Sequence, residues 1–188
     1  MSEDVRGREQ EKYEKIHDSS KAYKQANQGR KCIEEFSQLA RPVGLVLDCG
    51  AGNGLASGWL KDRGYPVASV DIARNAGCHS LEGIDSYAHC LWDPFPVKGD
   101  WVFCTDVMEH LPPEHVDGAL VEMAYAARRG AYFQICTVAD VTGPKLIGEH
   151  LHLTIKDESW WAKELMKHWP SVRRLGNAHS QVTFFCAH

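Results

Sequence analysis

Residues 46–54 read V-L-D-C-G-A-G-N-G. The apolar residues at the start are followed by a carboxylate, and three glycines then occupy every second position. An apolar run that stops at a glycine turn predicts a buried strand, and the residues from Leu55 onward predict the helix after it. Glycines permit positive φ angles and let a ligand approach the backbone closely. In open α/β sheets, ligands bind at the carboxyl ends of the strands. The segment therefore predicts a strand, a turn and a helix, with a binding site at the turn.

Short apolar runs recur along the chain after residue 44. Runs without polar alternation are typical of parallel strands buried on both faces of a sheet. The two final runs are joined too tightly for a crossover helix, so we expect them to be antiparallel neighbours. We predict strands at Gly44–Leu47, Val67–Val70, Tyr87–Leu91, Trp101–Thr105, Ala131–Cys136, Ser171–Leu175 and Gln181–Ala187. The predicted fold class is α/β, with a doubly wound, mostly parallel sheet.

Helical segments are predicted between the strands and before them. Residues 72–86 contain few apolar side chains, so we expect a short helix or none there. Residues 1–40 are rich in Glu, Lys and Gln and break near Gly29, which predicts two or three short helices. Arg128 and Arg129 are expected at the solvated end of a helix, where the helix dipole favours them. The helices predicted after the first strand are Leu55–Arg63, Glu114–Arg128 and Lys156–Trp169.

Length and composition limit the class of protein. The 188 residues carry 25 acidic and 21 basic side chains, a net charge of −4 with histidine neutral. We predict one domain over residues 1–188, with the core sheet over 44–187. No apolar run approaches the ~20 residues that span a bilayer, and the first residues lack the apolar segment of a secretory signal. Seven scattered cysteines without a C-x-x-C pair favour a reducing compartment, so we predict a cytoplasmic protein with no membrane partner.

Carboxylates near the predicted strand ends favour a cationic ligand without phosphates. Asp48 precedes the first glycine, where it would repel a dinucleotide pyrophosphate and attract an amino group, directly or through water. Asp71 ends the second run and suits the hydroxyls of a ribose. Trp92 and Asp93 follow the third run, at the depth that an adenine would reach. S-adenosylmethionine combines a sulfonium, an α-amino group, a ribose and an adenine, and therefore matches this pattern.

Together these motifs resemble the class I S-adenosylmethionine-dependent methyltransferases. The matching motifs are L-D-C-G-A-G-N-G at 47–54, V-D at 70–71, W-D at 92–93 and C-T-D-V-M-E-H-L at 104–111. The resemblance implies a seven-stranded, Rossmann-like sheet and S-adenosyl-L-methionine as cofactor. The cofactor contacts that it implies are Asp48, Gly50, Ala51, Gly52, Asn53, Gly54, Asp71, Ile72, Trp92, Asp93, Asp106 and Val107.

The resemblance also implies a role for the N-terminal helices and limits the acceptor. In such enzymes these helices often fold over the cofactor, so we predict that residues 1–40 form a helical lid. Neither N-P-P-Y nor D-P-P-Y follows the fourth predicted strand, so the usual motif for methylating adenine or glutamine amino groups is missing. No Pro-Cys nucleophile for cytosine C5 methylation occurs either. The candidate lid residues are Tyr13, His17, Tyr23 and Arg30.

The motifs E-H after the fourth predicted strand and H-L-H after the fifth form a second candidate cluster. Three interpretations stay open. The residues cap a helix and line the pocket, or a neutral histidine acts as a general base, or the cluster binds a divalent ion. The ion's ligands would be Asp106, Glu109, His110 and His150 or His152, an arrangement that resembles the metal-dependent 2′-O-methyltransferases of small-RNA 3′ ends. We predict no metal, and we predict Glu109, His110 and His152 as the catalytic residues.

The function predicted from these observations is methyl transfer to an oxygen of a small molecule or sugar-like acceptor. The alternatives are a nucleic-acid 2′-O-methyltransferase with a divalent metal and a non-catalytic module that binds S-adenosylmethionine. Local charge separates the two enzymes, because a nucleic-acid substrate requires a basic rim around the pocket. The residues that could form such a rim are Lys145, Lys156, Arg173 and Arg174.

Overall fold

The computed structural model describes residues 2–19, 29–41, 43–178 and 180–188. Of the helices in these ranges, none combines the length and the apolar character needed to cross a membrane. The strands are β1 Val46–Cys49, β2 Val67–Asp71, β3 Asp85–Ala88, β4 Gly99–Thr105, β5 Ala127–Cys136, β6 Ser171–Ala178 and β7 Gln181–Ala187. The α-helices are α1 Ser2–Ser19, α2 Arg30–Leu39, α3 Leu55–Asp62, α4 Val116–Ala126, α5 Thr142–Leu146 and α6 Glu158–Met166. Short 3₁₀ helices occupy Gly77–Ser80, Met108–His110 and Pro113–His115.

The strands form one sheet in the order β3-β2-β1-β4-β5-β7-β6. The first five strands pair in parallel, and β7 pairs antiparallel with both β5 and β6. This confirms the predicted α/β class, the seven strands and the antiparallel final hairpin. The chain order reverses between β1 and β4, so the carboxyl ends of these two strands open a crevice at the switch point.

Helices cover both faces of the sheet, which explains why nearly every residue of its central strands β1, β2 and β4 is buried. On one face, Trp161 and Leu165 of α6 pack against Phe133 and are fully buried. On the other face, Phe36 of α2 packs edge-on to Phe103, with 5.4 Å between their ring centroids. Full burial of each such side chain contributes roughly 1.5–3 kcal/mol. These buried clusters on both faces hold the sheet in place, and with it the strand ends at which the site lies.

Several element boundaries differ from the prediction, and β1 spans Val46–Cys49 in place of 44–47. Helix α4 ends at Ala126 and β5 begins at the next residue, so Arg128 and Arg129 lie in a strand and not at a helix end. Both guanidinium groups bond the carboxylate of Asp100, at 3.1 and 3.4 Å. The peptide N–H of Leu45 donates to the same carboxylate. The predicted helix end is therefore wrong, because β5 begins before these residues, although both side chains are exposed as predicted while they bind the buried carboxylate.

The third strand also begins earlier than predicted. It spans Asp85–Ala88 in place of 87–91, because its ladder with β2 ends where β2 ends, at Asp71. Residues 72–86 hold the 3₁₀ helix and no α-helix, as expected. The break near Gly29 is confirmed by the start of α2 at the next residue. The predicted lid residue Tyr23 lies outside the described residues.

Candidate functional site

The glycine turn after β1 has one packed side and one open side. Gly50 has a φ of 72°, and a Cβ there would lie 2.3 Å from a methyl carbon of Val107, so no larger residue fits. Gly52 has a φ of 52°, but a Cβ there would meet nothing closer than 4.0 Å. Gly50 therefore serves the packing of the turn, whereas the free space at Gly52 is available to a ligand.

Asp71, at the end of β2, braces this turn. One of its carboxylate oxygens accepts a hydrogen bond from the Gly52 N–H at 2.8 Å. The other accepts from the Ala73 N–H at 2.9 Å. Burial raises the pKa of Asp71, and the two peptide bonds act in the opposite direction. Each carboxylate oxygen keeps a further lone pair, so the group can still accept hydrogen bonds from a ligand.

Asp48 lies beneath the turn, within β1. It is buried, and its carboxylate accepts a 2.5 Å hydrogen bond from the Ser57 hydroxyl of α3. The Ser57 oxygen lies 2.8 Å from that of Ser69 on β2. Burial raises the pKa of Asp48 from 3.8 to about 7. The carboxylate thus joins the two strands and the helix that hold the turn, and it borders the cavity described next.

Two cavities that share part of their lining lie at the carboxyl ends of β1 and β4. The larger has a volume of about 740 Å³ and the smaller about 100 Å³. Both are bordered by Gly50, Gly52, Asp106 and His110. Of the twelve predicted cofactor contacts, ten line one cavity or both, while Gly54 and Asp93 line neither. The ten that line a cavity are Asp48, Gly50, Ala51, Gly52, Asn53, Asp71, Ile72, Trp92, Asp106 and Val107.

Trp92 and Asp93, in the loop that follows β3, differ in where their side chains lie. Trp92 borders the smaller cavity, and its ring stacks on His115 with 4.4 Å between centroids. The Asp93 carboxylate lies 2.8 Å from the guanidinium of Arg6 in α1. Trp92 is therefore the member of this pair that a ligand in the cavity would meet, while Asp93 attaches α1 to the sheet edge.

Asp106, just after β4, is the most unusual residue between the cavities. Among the described non-glycine residues it alone has a positive φ, 53°, a conformation that costs an ordinary side chain about 1–3 kcal/mol. One carboxylate oxygen accepts from the Gln181 side-chain amide at 2.9 Å. The other is buried and has no hydrogen-bond partner. Because an unpaired buried oxygen is costly, this atom fits a donor supplied by a ligand.

Glu109 anchors the loop that follows β4. It is fully buried, and its side chain accepts from the Cys136 N–H at 3.1 Å. Its backbone carbonyl accepts from the N–H groups of Leu153 and Thr154, at 2.8 and 2.9 Å. Burial, and then the charge of Asp106, raise the pKa of Glu109 from 4.5 to about 8. Glu109 therefore fixes the position of the segment that carries the H-L-H motif.

The two predicted catalytic histidines lie together on the wall of the larger cavity. Their rings meet edge to face, with 4.7 Å between the centroids of His110 and His152. Burial, and then the neighbouring His152, lower the pKa of His110 to about 3, so that ring is neutral at pH 7. The Nδ1 of His152 lies 2.6 Å from the carbonyl oxygen of Val138. A carbonyl only accepts, so Nδ1 carries a proton, and in the neutral ring the lone pair lies on Nε2.

The ion-binding set considered from sequence is not assembled. His150 is exposed, and its ring bonds the Asp140 carboxylate at 3.3 Å. His110 instead contacts the hydroxyl of Tyr13, at 2.9 Å. Within the described ranges, the group whose potential ligand atoms lie within 4.8 Å of one another comprises Glu109, Cys136 and His152. Sequence analysis missed Cys136 and Gln181, since only the pairing of β5 with β4 and β7 brings them here.

Helix α1 lies across the smaller cavity. Tyr13 borders that cavity, and His17 borders both. The backbone carbonyl of Glu14 accepts from the Asn75 side chain at 2.9 Å, which joins α1 to the loop after β2. Arg30 is elsewhere, with its guanidinium 5.3 Å from the centre of the Trp59 ring. The N-terminal segment thus contacts the rim of the site at several points.

This strand order, with a glycine turn after β1 and a buried acid ending β2, is the architecture of the class I S-adenosylmethionine-dependent methyltransferases. Residues 22–184 match the family model for the methyltransferase domain. The chain therefore belongs to the methyltransferase domain family, a family of enzymes whose methyl donor is S-adenosyl-L-methionine.

Curated relatives match parts of the chain. An uncharacterized methyltransferase of Staphylococcus carnosus is 29% identical over 97 residues, covering 50% of this chain and 47% of the relative. A ubiquinone biosynthesis O-methyltransferase of Idiomarina loihiensis is 38% identical over 77 residues, covering 36% of this chain and 32% of the relative. The matched regions thus span less than half the length of either relative.

Solved structures share the fold over most of the chain. The crystal structure of 1,6-didemethyltoxoflavin-N1-methyltransferase from Burkholderia thailandensis, with bound 1,6-didemethyltoxoflavin and S-adenosylhomocysteine, superposes with a TM-score of 0.66. The match covers 92% of this chain and 83% of that chain at 16% identity. At this identity the likeness concerns the fold alone.

Proposed function

We propose that the protein transfers a methyl group from S-adenosylmethionine to an oxygen of a small-molecule or sugar-like acceptor. The observation that carries the proposal is the meeting of two cavities at Asp106 and His110. One holds the acid and aromatic residues suited to an adenosine, and the other holds the two histidines. Holding donor and acceptor in line in this way can lower the activation barrier by roughly 7–11 kcal/mol.

The described residues fit the cofactor. Asp71 would accept hydrogen bonds from the ribose hydroxyls, and Trp92 would border the adenine. The unpaired oxygen of Asp106 would accept from the α-amino group, next to the open side of Gly52. When bound, the cofactor supplies an activated methyl on a sulfonium, so the protein's work is to position the acceptor and take its proton.

His152 is the proposed general base. Its Nδ1 proton is held by the Val138 carbonyl, so Nε2 is the acceptor atom on the cavity wall. His110 beside it stays neutral at pH 7, so the site does not place a second positive charge next to the histidine that becomes protonated. Glu109 positions the loop through its backbone carbonyl. A positioned base of this kind contributes about 10²–10⁴ in rate.

The lining of the larger cavity favours a small acceptor without phosphates. Apolar side chains at its mouth include Leu55, Trp59 and Val141. Among the described lining residues, Lys145 is the one lysine or arginine. The other candidates for a basic rim lie against other groups: Arg174 on Glu158, Arg173 over Phe185 and Lys156 over Trp160. This distribution supports a small molecule over a nucleic acid, which needs several cations along its backbone.

We further propose that residues 1–40 act as the lid of the cofactor cavity. Helix α1 already contacts the rim through the Arg6–Asp93 ion pair and the Tyr13–His110 hydrogen bond. The smaller cavity, at about 100 Å³, is tight for a ligand that carries an adenosine, so α1 would shift on binding.

A direct assay tests the function. Purified protein is incubated with S-adenosylmethionine and each of a set of phenols, catechols, monosaccharides and short single-stranded RNAs, and S-adenosylhomocysteine is measured. We expect release with at least one hydroxylated small molecule and none with RNA. Release with RNA alone contradicts the acceptor class, and cofactor binding without any release contradicts catalysis. The Asp71→Ala variant serves as the control for release that does not depend on the site.

A further inference from the structure

We propose that Glu109, Cys136 and His152 form a binding site for a zinc-class divalent cation in the wall of the larger cavity. Their potential ligand atoms lie within 4.8 Å of one another. A carboxylate, a thiolate and an imidazole form a mixed donor set that suits zinc or cobalt and not magnesium or calcium. Three protein ligands leave a fourth tetrahedral position, as in zinc sites that accept an exchangeable group.

The Glu109 carboxyl group is held in place and incompletely used. It lies on the 3₁₀ helix after β4 and is fully buried. One oxygen accepts from the N–H of Cys136, which ties the carboxyl to the residue that carries the thiol. The second oxygen is buried without a hydrogen-bond partner. An ion at this position would satisfy that oxygen, whose desolvation is otherwise uncompensated.

The Val138 carbonyl orients the other two side chains. It accepts from the Nδ1–H of His152 at 2.6 Å and from the Cys136 thiol at 3.7 Å. Histidine ligands of metal ions commonly donate their second ring N–H to a carbonyl or carboxylate, which fixes the tautomer. The contact leaves Nε2 of His152 as the nitrogen that can bind an ion. Both side chains also border the cavity, so an ion can enter from it.

An ion at the cluster would balance the anionic forms of its ligands. Binding releases the protons of the Glu109 carboxyl and the Cys136 thiol, and the ion then neutralises the carboxylate and the thiolate. The exposed His150, by contrast, already bonds Asp140 and lies outside the cluster.

Binding of the ion has a consequence that rests on the proposed function. The ion would occupy the Nε2 lone pair of His152, the atom assigned above as the general base. The zinc-bound protein would therefore lose methyl transfer while it keeps its affinity for the cofactor. The binding itself requires neither cofactor nor acceptor, so it can be tested whether or not the acceptor class is right.

Cobalt titration of the full-length protein tests the site. The protein is treated with a chelator, dialysed, and titrated with Co²⁺ while the thiolate-to-cobalt charge-transfer absorption is recorded. We expect saturation at one ion per chain and loss of the absorption when Zn²⁺ is added. The same titration of Cys136→Ser should show no charge-transfer band. Loss of a group that only hydrogen-bonds a metal ligand lowers metal affinity about 10–100-fold. Cys136→Ser and Glu109→Gln each alter a ligand itself, so their Zn²⁺ affinity should fall at least about tenfold.

His150→Ala is the matched control, because it removes a histidine two residues from His152 and outside the cluster. Its cobalt spectrum and Zn²⁺ affinity should equal those of the wild type. Circular dichroism and S-adenosylhomocysteine affinity establish that each variant is folded. The proposal is overturned if folded wild-type protein shows no saturable band, or if folded Cys136→Ser binds Zn²⁺ as tightly as the wild type.

Discussion

The two halves of the crevice, which we assign to the cofactor and to the acceptor, are built in different ways. In the cofactor half, the turn at 50–54 and Asp71 come from neighbouring segments, and the bond that joins Gly52 to Asp71 spans 19 residues. In the acceptor half, Glu109 bonds a residue 27 positions away, and Asp106, at the boundary between the halves, bonds one 75 positions away. The cofactor half is therefore encoded locally, whereas the acceptor half exists only once the whole sheet has formed.

The halves also differ in how their buried acids are satisfied. Asp48 bonds Ser57, and both oxygens of Asp71 accept from peptide N–H groups. Asp106 and Glu109 each retain a buried oxygen without a partner. Each such oxygen costs about 1–3 kcal/mol. The carboxylate oxygens without a partner that are left for a ligand therefore lie at the boundary between the halves and on the acceptor side.

The largest effect is expected from His152→Ala. If Nε2 is the base, the transfer rate should fall by about 10²–10⁴, while the affinity for S-adenosylhomocysteine should stay within about twofold, because the change is confined to the acceptor half. Single-turnover assays and calorimetry measure the two quantities. The exposed His150→Ala variant should match the wild type in both. Equal losses in rate and in cofactor affinity would show that the halves are not independent.

Gly52→Val should have the reverse effect. Its side chain would fill the open side of the turn and add strain at a positive φ, so the affinity for S-adenosylhomocysteine should fall about 100-fold, or about 2.7 kcal/mol. Calorimetry measures the affinity, and circular dichroism establishes folding. Gly58→Val, on helix α3 where a Cβ meets nothing within 4 Å, is the control for adding valine nearby. Unchanged binding by folded Gly52→Val would remove the turn from the cofactor site.

The sequence predicted the cofactor half because short-range chemistry determines it. A carboxylate before alternating glycines and an acid at the end of the second apolar run can be read without knowing which strands pair. The sheet class was predictable for the same reason, since uniform apolar runs indicate burial on both faces. Gly54 and Asp93 line neither cavity, and the partner of Asp93, Arg6, belongs to a helix whose docking no local pattern specifies.

The acceptor half was predicted in its residue types but not in its contacts. His152 was identified from its motif, yet Cys136 and Gln181 join it only through the pairing of β4, β5 and β7. The same long-range pairing explains the error at Arg128, which the registry of β5 places in a strand beside Asp100. A strained φ at Asp106 has no sequence signature, because it follows from the loop that the assembled sheet requires.

The next effect is on stability and is specific to the cofactor half. Burial raises the pKa of Asp48 from 3.8 to about 7, so the folded protein holds a proton that the unfolded chain has released. Stability should therefore fall as pH rises from about 4 to about 7, by on the order of 3 kcal/mol from this group. Asp48→Asn cannot titrate and should lack this component. Urea midpoints across that range measure it, and parallel curves for the two proteins would contradict the assignment.

The smallest effect is expected from Tyr13→Phe, which probes the contact between α1 and the boundary of the halves. The tyrosine hydroxyl lies 2.9 Å from Nδ1 of His110, and its loss should weaken the docking of α1 by about 1 kcal/mol. Hydrogen exchange in α1 should accelerate about fivefold, while exchange in β1 should not change. Tyr125→Phe, on the exposed face of α4, is the control. Because His110 borders both cavities, acceleration in α1 together with altered exchange at His152 would mean that the helix across the smaller cavity also orders the wall of the larger one.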